Sequence, residues 1–272
     1  MNDNPPSRPR LRDLGIMPGM LPTGPQNAIT DVPGVRVGHA TVVHDEGPAR
    51  TGVTAIHPHE GSAFRSQVPA AMAALNGAGE MTGRAQIDEF GLLETPILIT
   101  NTLSVGVVHT ATIDWLAAQE PALGSTDFVI PVVGETYDGH LNDITGQHVR
   151  AEHVFAALDG AAGGPVAEGN VGGGTGMRLF GFKGGIGTAS RAVTLDDRAC
   201  TVGVLVQGNY GQREDLLVDG VPVGRELDGA TKANGERDGS VIVTIATDAP
   251  LSDRQLGRLC RRGMLGLART ER

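Results

Sequence analysis

At Asp238-Gly239-Ser240 a loop rich in glycine and charge breaks into an apolar run, VIVTIAT. Gly-Ser is turn chemistry in its own right, so one reading is simply a strand that starts at Ser240. The other makes Ser240 a nucleophile. It has no GxSxG elbow and no obvious histidine base. An N-terminal nucleophile needs neither. If the Gly239-Ser240 bond is cut, the serine's own α-amino group becomes a base with a pKa of about 7.7–8.0. Three polar stretches could join it: NTLS (Asn101–Ser104), ETYDG (Glu135–Gly139) and GNYG (Gly208–Gly211). Each follows an apolar run, where sheet proteins deliver side chains into clefts. Converging on Ser240, they would supply an amide donor, a carboxylate and a phenol.

The elements that must position these groups are read from periodicity. AITDVPGVRVGHATVV predicts a hairpin turning at Pro33-Gly34, and TGVTAIHP a further strand. VPAAMAALNGAGE predicts a small-sided helix, and ATIDWLAAQEP a helix stopped by Pro121. TPILITNTLS, DFVIPVVGETYDGHLND and ACTVGVLVQGNYG predict buried strands with polar exits. Residues 142–160 read as a helix. Residues 210–239 read as a short hairpin and then a flexible loop, 228–239. Val241–Thr247 is apolar on both faces, which predicts a place in the middle of a covered sheet. In LSDRQLGRLCRRGMLGLA, Ser252 is a good N-cap, and Leu256, Leu259, Cys260, Met264 and Leu267 share one stripe. Strands and helices mix without a strict βαβ repeat, so layered α/β (α+β) packing is expected rather than a Rossmann fold.

Composition sets the outer bounds. The 272 residues hold 40 glycines and only 3% aromatics, which implies tight turns and close backbone contacts. A net charge of −9 argues against a nucleic-acid partner. No apolar run approaches the ~20 residues of a membrane helix. Residues 1–26 read as a proline-rich arm without a signal-peptide core, so a cytoplasmic protein is expected. The two cysteines, Cys200 and Cys260, form no metal or disulfide motif. The glycines of EGNVGGGTGMRLFGFKGGIGTASR fit neither phosphate-loop pattern and read as a tight loop. HPHE (His57–Glu60) lacks metal-ligand spacing, and no cofactor or metal is expected.

Taken together, AITDVPGVRVGHAT, RTGVTAI, ALNGAGEMTG, EFGLLETPILITNTLSVG, PVVGETYDGHLND, EGNVGGGTGM, FKGGIGTASR, VLVQGNYG and DGSVIVTIATDAPL resemble, in order, the DmpA-type aminopeptidases. These are the L-aminopeptidase/D-amino-acid esterase-amidases and the β-peptidyl aminopeptidases. The resemblance implies a four-layer α-β-β-α sandwich, like N-terminal-nucleophile hydrolases but differently connected. It implies a single domain cut before Ser240 into an α part (1–239) and a β part beginning at residue 240. It implies a metal-independent release of N-terminal residues from short peptides, amides or esters. By the same resemblance Ser240 is the nucleophile, Asn209 an oxyanion donor, Glu135 the anchor for the substrate's amino group and Tyr137 the neighbour of the nucleophile. Asn101 is expected to help bind substrate. A homo-oligomer, a tetramer of αβ units, is expected. The family continues past the end of this chain, which implies a truncated β part. The alternative function is a non-catalytic form that only binds small amino compounds.

Overall fold

The computed structural model describes residues 9–44, 47–227 and 239–270. The first eight residues of the expected arm, and residues 228–238 of the expected cleavage loop, lie outside the described residues.

The strands are β1 (Arg36–Val43), β2 (Arg50–His57), β3 (Val68–Pro69), β4 (Leu92–Leu93), β5 (Ile97–Asn101), β6 (Val132–Thr136), β7 (Arg178–Leu179), β8 (Phe182–Lys183), β9 (Gly185–Leu195), β10 (Arg198–Asn209) and β11 (Ser240–Thr247). The helices are α1 (Arg84–Phe90), α2 (Val105–Ala117), α3 (Ala151–Asp159), α4 (Val223–Glu226) and α5 (Asp253–Leu267). One sheet has the order β1-β2-β5-β6 and a second the order β11-β10-β9.

Alternation within the strands explains how the sheets stack. On β10 the odd-numbered Leu205, Gln207 and Asn209 are buried, while Val202, Val204 and Val206 are half-buried. On β11, Ile242 packs with Ile99 and Leu205 in the core between the sheets. The opposite face of β11 meets α5: a Cβ added at Gly263 would lie 3.2 Å from Ile245 Cδ1. On the far side of the first sheet, α2 and α3 close a second core around Val53, Leu98, Val108 and Leu158. The layers therefore run α2/α3, first sheet, second sheet, α5. Burying each large aliphatic side chain in these cores stabilises by roughly 1.5–3 kcal/mol.

Between the sheets sits the turn Gly172–Gly174, all three residues buried. A Cβ at Gly173 would lie 2.4 Å from Gln207 Oε1 and 2.5 Å from the Ile99 carbonyl oxygen. The glycine-rich stretch is thus a spacer of backbone thickness that ties one sheet to the other, and its second half enters β9.

Several elements differ from the sequence reading. Residues 29–31 form a 3-10 turn and not the first arm of a hairpin; Thr188 Oγ1 and the Asp31 carboxylate take the local N–H groups. The partner of β1 is β2. Beyond β3, residues 70–80 are irregular where a helix was expected. Glycines at 77 and 79 weaken that helix, and the Glu80 N–H is spent on a carboxylate. The expected helix over 142–160 is confined to α3, because Asn142 Oδ1 accepts from the Arg50 N–H and Gln147 has φ +47°. The expected hairpin after residue 210 shrinks to one bridged turn, Val218 to Val221, with Asp219 and Gly220 both at positive φ. β11 is covered on both faces yet is an edge strand among the described residues, not a central one. Helix α5 follows expectation: Ser252 Oγ caps the Gln255 N–H, the apolar stripe is half-buried and Arg258, Arg261 and Arg262 are exposed. Among the described residues no helix is long and apolar enough to cross a membrane.

Two imidazoles are sealed into this fold. Burial pushes His39 down to about 4, and burial with the nearby Arg36 charge does the same to His57. An unfolded imidazole titrates near 6.5. Between pH 6.5 and 4 the unfolded chain therefore binds protons that the fold refuses, and stability falls as pH falls. Asp138, pushed up by burial, acts in the opposite direction. We expect the melting temperature to drop across that window, and His57→Gln to flatten the slope. A slope unchanged in His57→Gln would show that its titration is not coupled to folding.

Candidate active site

The site forms where three strands end. β6 is buried through Thr136, after which the chain leaves the sheet at Tyr137. β10 ends at Asn209 and β11 begins at Ser240, and these two residues are direct cross-strand partners. Ser240 shares the face of Ile242, two residues along, and so looks across at β6.

Two donors converge on Ser240 Oγ. The Tyr137 backbone N–H donates at 3.1 Å and Asn209 Nδ2 at 3.3 Å. The Asn209 amide is fixed at each polar atom. Nδ2 also donates to the Tyr137 carbonyl at 2.7 Å, and Oδ1 accepts from the Arg178 N–H at 3.0 Å. That pattern sets the amide orientation, because only the nitrogen can face a carbonyl. Both donors are directed at the oxygen that would attack in an acyl transfer. While the Gly239-Ser240 peptide is unbroken, Ser240 has no free amine. Gly239 runs hard against the preceding strand end: a Cβ there would lie 2.4 Å from Tyr210 Cβ.

Glu135 is 7% exposed. Its Oε1 accepts from the Glu80 N–H at 3.1 Å and its Oε2 from the Thr102 hydroxyl. Gly79, at φ +115°, lets the loop press onto the carboxylate; a Cβ would sit 2.5 Å from Oε1. Among the described residues no cation pairs with Glu135. It makes no direct contact with Ser240, which lies beyond Tyr137 along the same strand exit.

The other sequence candidates fall differently. Tyr137 contributes its backbone to Ser240; the residue is 45% exposed, with its ring edge-on to His140 at 5.8 Å. Asn101 is 1% exposed, with Nδ2 donating to Thr51 Oγ1 at 2.7 Å and Oδ1 capping the Ser104 N–H at 3.0 Å. Its amide is engaged at both ends and holds the start of α2. His57 and His59 of HPHE bond backbone carbonyls. Among the described residues no cluster of three or more His, Cys, Asp or Glu could hold a metal ion.

The residue reading missed Thr102, the Glu80 and Arg178 N–H groups, and Asp138. Asp138 is fully buried behind Tyr137 and accepts from Asn142 Nδ2 at 3.1 Å. Burial pushes its carboxyl up, against the pull of the Asn142 hydrogen bond. The spacing of Asp138 and Asn142 within GETYDGHLND was the available signal. Backbone donors leave no trace in residue type.

Residues 27–272 match Peptidase family S58. The chain belongs to that family. The S58 chain is 49% identical over 280 residues to the beta-peptidyl aminopeptidase BapA of Sphingosinicella xenopeptidilytica, covering 96% of itself and 69% of that protein. It superposes on a Burkholderia sp. beta-aminopeptidase with a TM-score of 0.90 at 54% identity, over 97% of this chain and 73% of the other. It also superposes on the L-aminopeptidase D-Ala-esterase/amidase of Ochrobactrum anthropi, described as a prototype of the serine aminopeptidases and a variant of the Ntn hydrolase fold. There the TM-score is 0.89 at 48% identity, with 97% and 74% covered. The expected DmpA-type layered fold and the hydrolase class follow directly: this S58 chain is a hydrolase of the N-terminal-nucleophile type.

Proposed function

We propose that this protein is a self-processing serine aminopeptidase that acts on short peptides, amides or esters bearing a free N-terminal amine. The observation that carries the reading is a buried Glu135 carboxylate that pairs with no cation among the described residues, on the strand exit that also donates to Ser240. Such a carboxylate holds an ammonium through charge-assisted hydrogen bonds.

Maturation starts when Ser240 Oγ attacks the Gly239 carbonyl carbon. The Oγ proton passes to the Ser240 nitrogen, which leaves as an amine, and water hydrolyses the resulting ester to a Gly239 carboxylate. The freed amine then takes the Oγ proton as Oγ attacks the substrate carbonyl. The oxyanion is met by Asn209 Nδ2 and the Tyr137 N–H, the leaving group collects the proton, and water releases the acyl group. Asn101 and Asp138 support the strand ends from below. The finer expectations also belong to this proposal: an αβ unit split at Gly239-Ser240, a homotetramer of such units, and a cytoplasmic location. Sizing of the protein at micromolar concentration tests the assembly, and a monomer would count against it.

Glu135→Gln separates an aminopeptidase from a general amidase. Losing a charge-assisted contact costs about 1.5–3 kcal/mol, roughly ten- to a hundredfold in kcat/KM for free-amine substrates. Processing involves no substrate ammonium and should persist. Preference for free-amine over N-acetylated substrates should largely vanish. An unchanged preference would remove Glu135 as the anchor.

A further inference from the structure

A second site lies at the other end of the first sheet. A cavity of about 370 Å³ opens there, lined by Arg36, His57, Ser62, Trp115, Glu120 and Asp159 among others. Arg36 pairs with His57 at the β1/β2 end of the ladder, and Ile56 pairs with Ile97 at the start of β5. Asn101 and Thr136 lie four residues further along the parallel pair β5/β6, about 13 Å away at strand rise. The cavity is therefore not an extension of the Ser240 site.

Its charges are arranged unusually. Arg36 and Asp159 both line it but form no ion pair with one another. Among the described residues, the one hydrogen-bond contact of the Arg36 side chain is Nη2 to His57 Nδ1 at 3.5 Å, and its Nε is buried without a partner. His57 donates Nε2 to the Leu158 carbonyl at 3.1 Å, so Nδ1 presents a lone pair toward Arg36. Held near 4 by burial and the Arg36 charge, His57 stays neutral and adds no competing cation. Glu120 does not neutralise Arg36 either, since its oxygens bond Ser62 Oγ at 2.7 Å and Arg65 Nε at 2.5 Å. Asp159 accepts the indole N–H of Trp115 on Oδ1 at 2.7 Å and has no cation of its own among the described residues. The Arg36 guanidinium therefore lines the cavity with no anion against it among the described residues. A cavity of this size is at the small end of ligand sites.

We propose that this cavity binds a small free amino acid. The carboxylate bridges to Arg36, the ammonium meets Asp159, and the side chain lies against Trp115. An isolated anion satisfies Arg36 alone and leaves the acidic wall unmatched; a zwitterion matches both.

Trp115 is the chain's single tryptophan, so its fluorescence reports on this cavity and not on the Ser240 site. The experiment titrates L-alanine into the Ser240→Ala protein, which turns nothing over. A saturable fluorescence change is expected. The midpoint should rise by about tenfold or more for acetate, which lacks the ammonium, and for L-alaninamide, which lacks the carboxylate. Arg36→Gln and Asp159→Asn should each shift the alanine midpoint by a similar factor. Asp159 is exposed and Asn keeps the acceptor for Trp115, so that variant decides the matter if Arg36→Gln fails to fold. No saturable change, or an alanine midpoint unmoved by Asp159→Asn, overturns the proposal. Acetate binding as tightly as alanine also overturns it, since the cavity is then a plain anion site.

Discussion

Ser240→Ala is expected to yield one uncut chain with no hydrolysis above background. Removing the nucleophile of a serine hydrolase lowers kcat on the order of 10⁶-fold. The structural cost should be small, because the lost oxygen is an acceptor shared by two groups, one of which has a second partner. Intact mass gives the first readout and a chromogenic amide the second. Two fragments split at Gly239-Ser240 in the alanine protein would mean that another agent cuts the chain, and the self-processing mechanism would be wrong.

Asn209→Ala is expected to lower kcat by about 10²–10³-fold for free-amine and N-acetylated substrates alike. This separates it from Glu135→Gln, which acts on one class. On the proposed role KM should move little, since an oxyanion donor acts on charge that exists only during reaction. The substitution also strips the Arg178 N–H and the Tyr137 carbonyl of a partner, so stability should fall by about 1–3 kcal/mol. Activity is therefore measured well below the melting transition, on protein already split. A kcat within a few-fold of the parent would remove Asn209 as an oxyanion donor and leave that role to the Tyr137 N–H.

The residues that carry the proposed chemistry were legible because they end apolar runs. The stretches ETYDG and GNYG and the Gly239-Ser240 joint stood out as polar edges of apolar runs, and the family resemblance singled out Glu135 and Asn209 within them. The partners did not stand out. The Tyr137, Glu80 and Arg178 N–H groups act through backbone that every residue possesses. Asn101 shows the converse: a conspicuous polar strand end whose amide is consumed by Thr51 and a helix start. The strand VIVTIAT teaches a further distinction. Apolar residues on both faces report what covers a strand above and below, here the first sheet and α5. They carry no information on neighbours in the hydrogen-bonding direction, so a strand can be sandwiched and still lie at an edge. Residues 70–80 misled for a different reason. Small alanines favour a helix locally, but the Glu80 N–H and Gly79 are claimed by Glu135.

The pairing of Ser240 with Asn209 bears on what cutting does to the nucleophile. A new chain terminus ordinarily frays, and a frayed serine would have to be recaptured at every turnover. Here the residue that the proposed cut would make a terminus is already the last rung of a ladder, and its hydroxyl is held by its rung-mate and by the Tyr137 N–H at the exit of the first sheet. On the proposed mechanism, breaking the bond behind it would release the amine while the ladder and the two donors keep hold of the oxygen. The entropy of placing the nucleophile is met once, when the chain folds, and does not recur with each substrate.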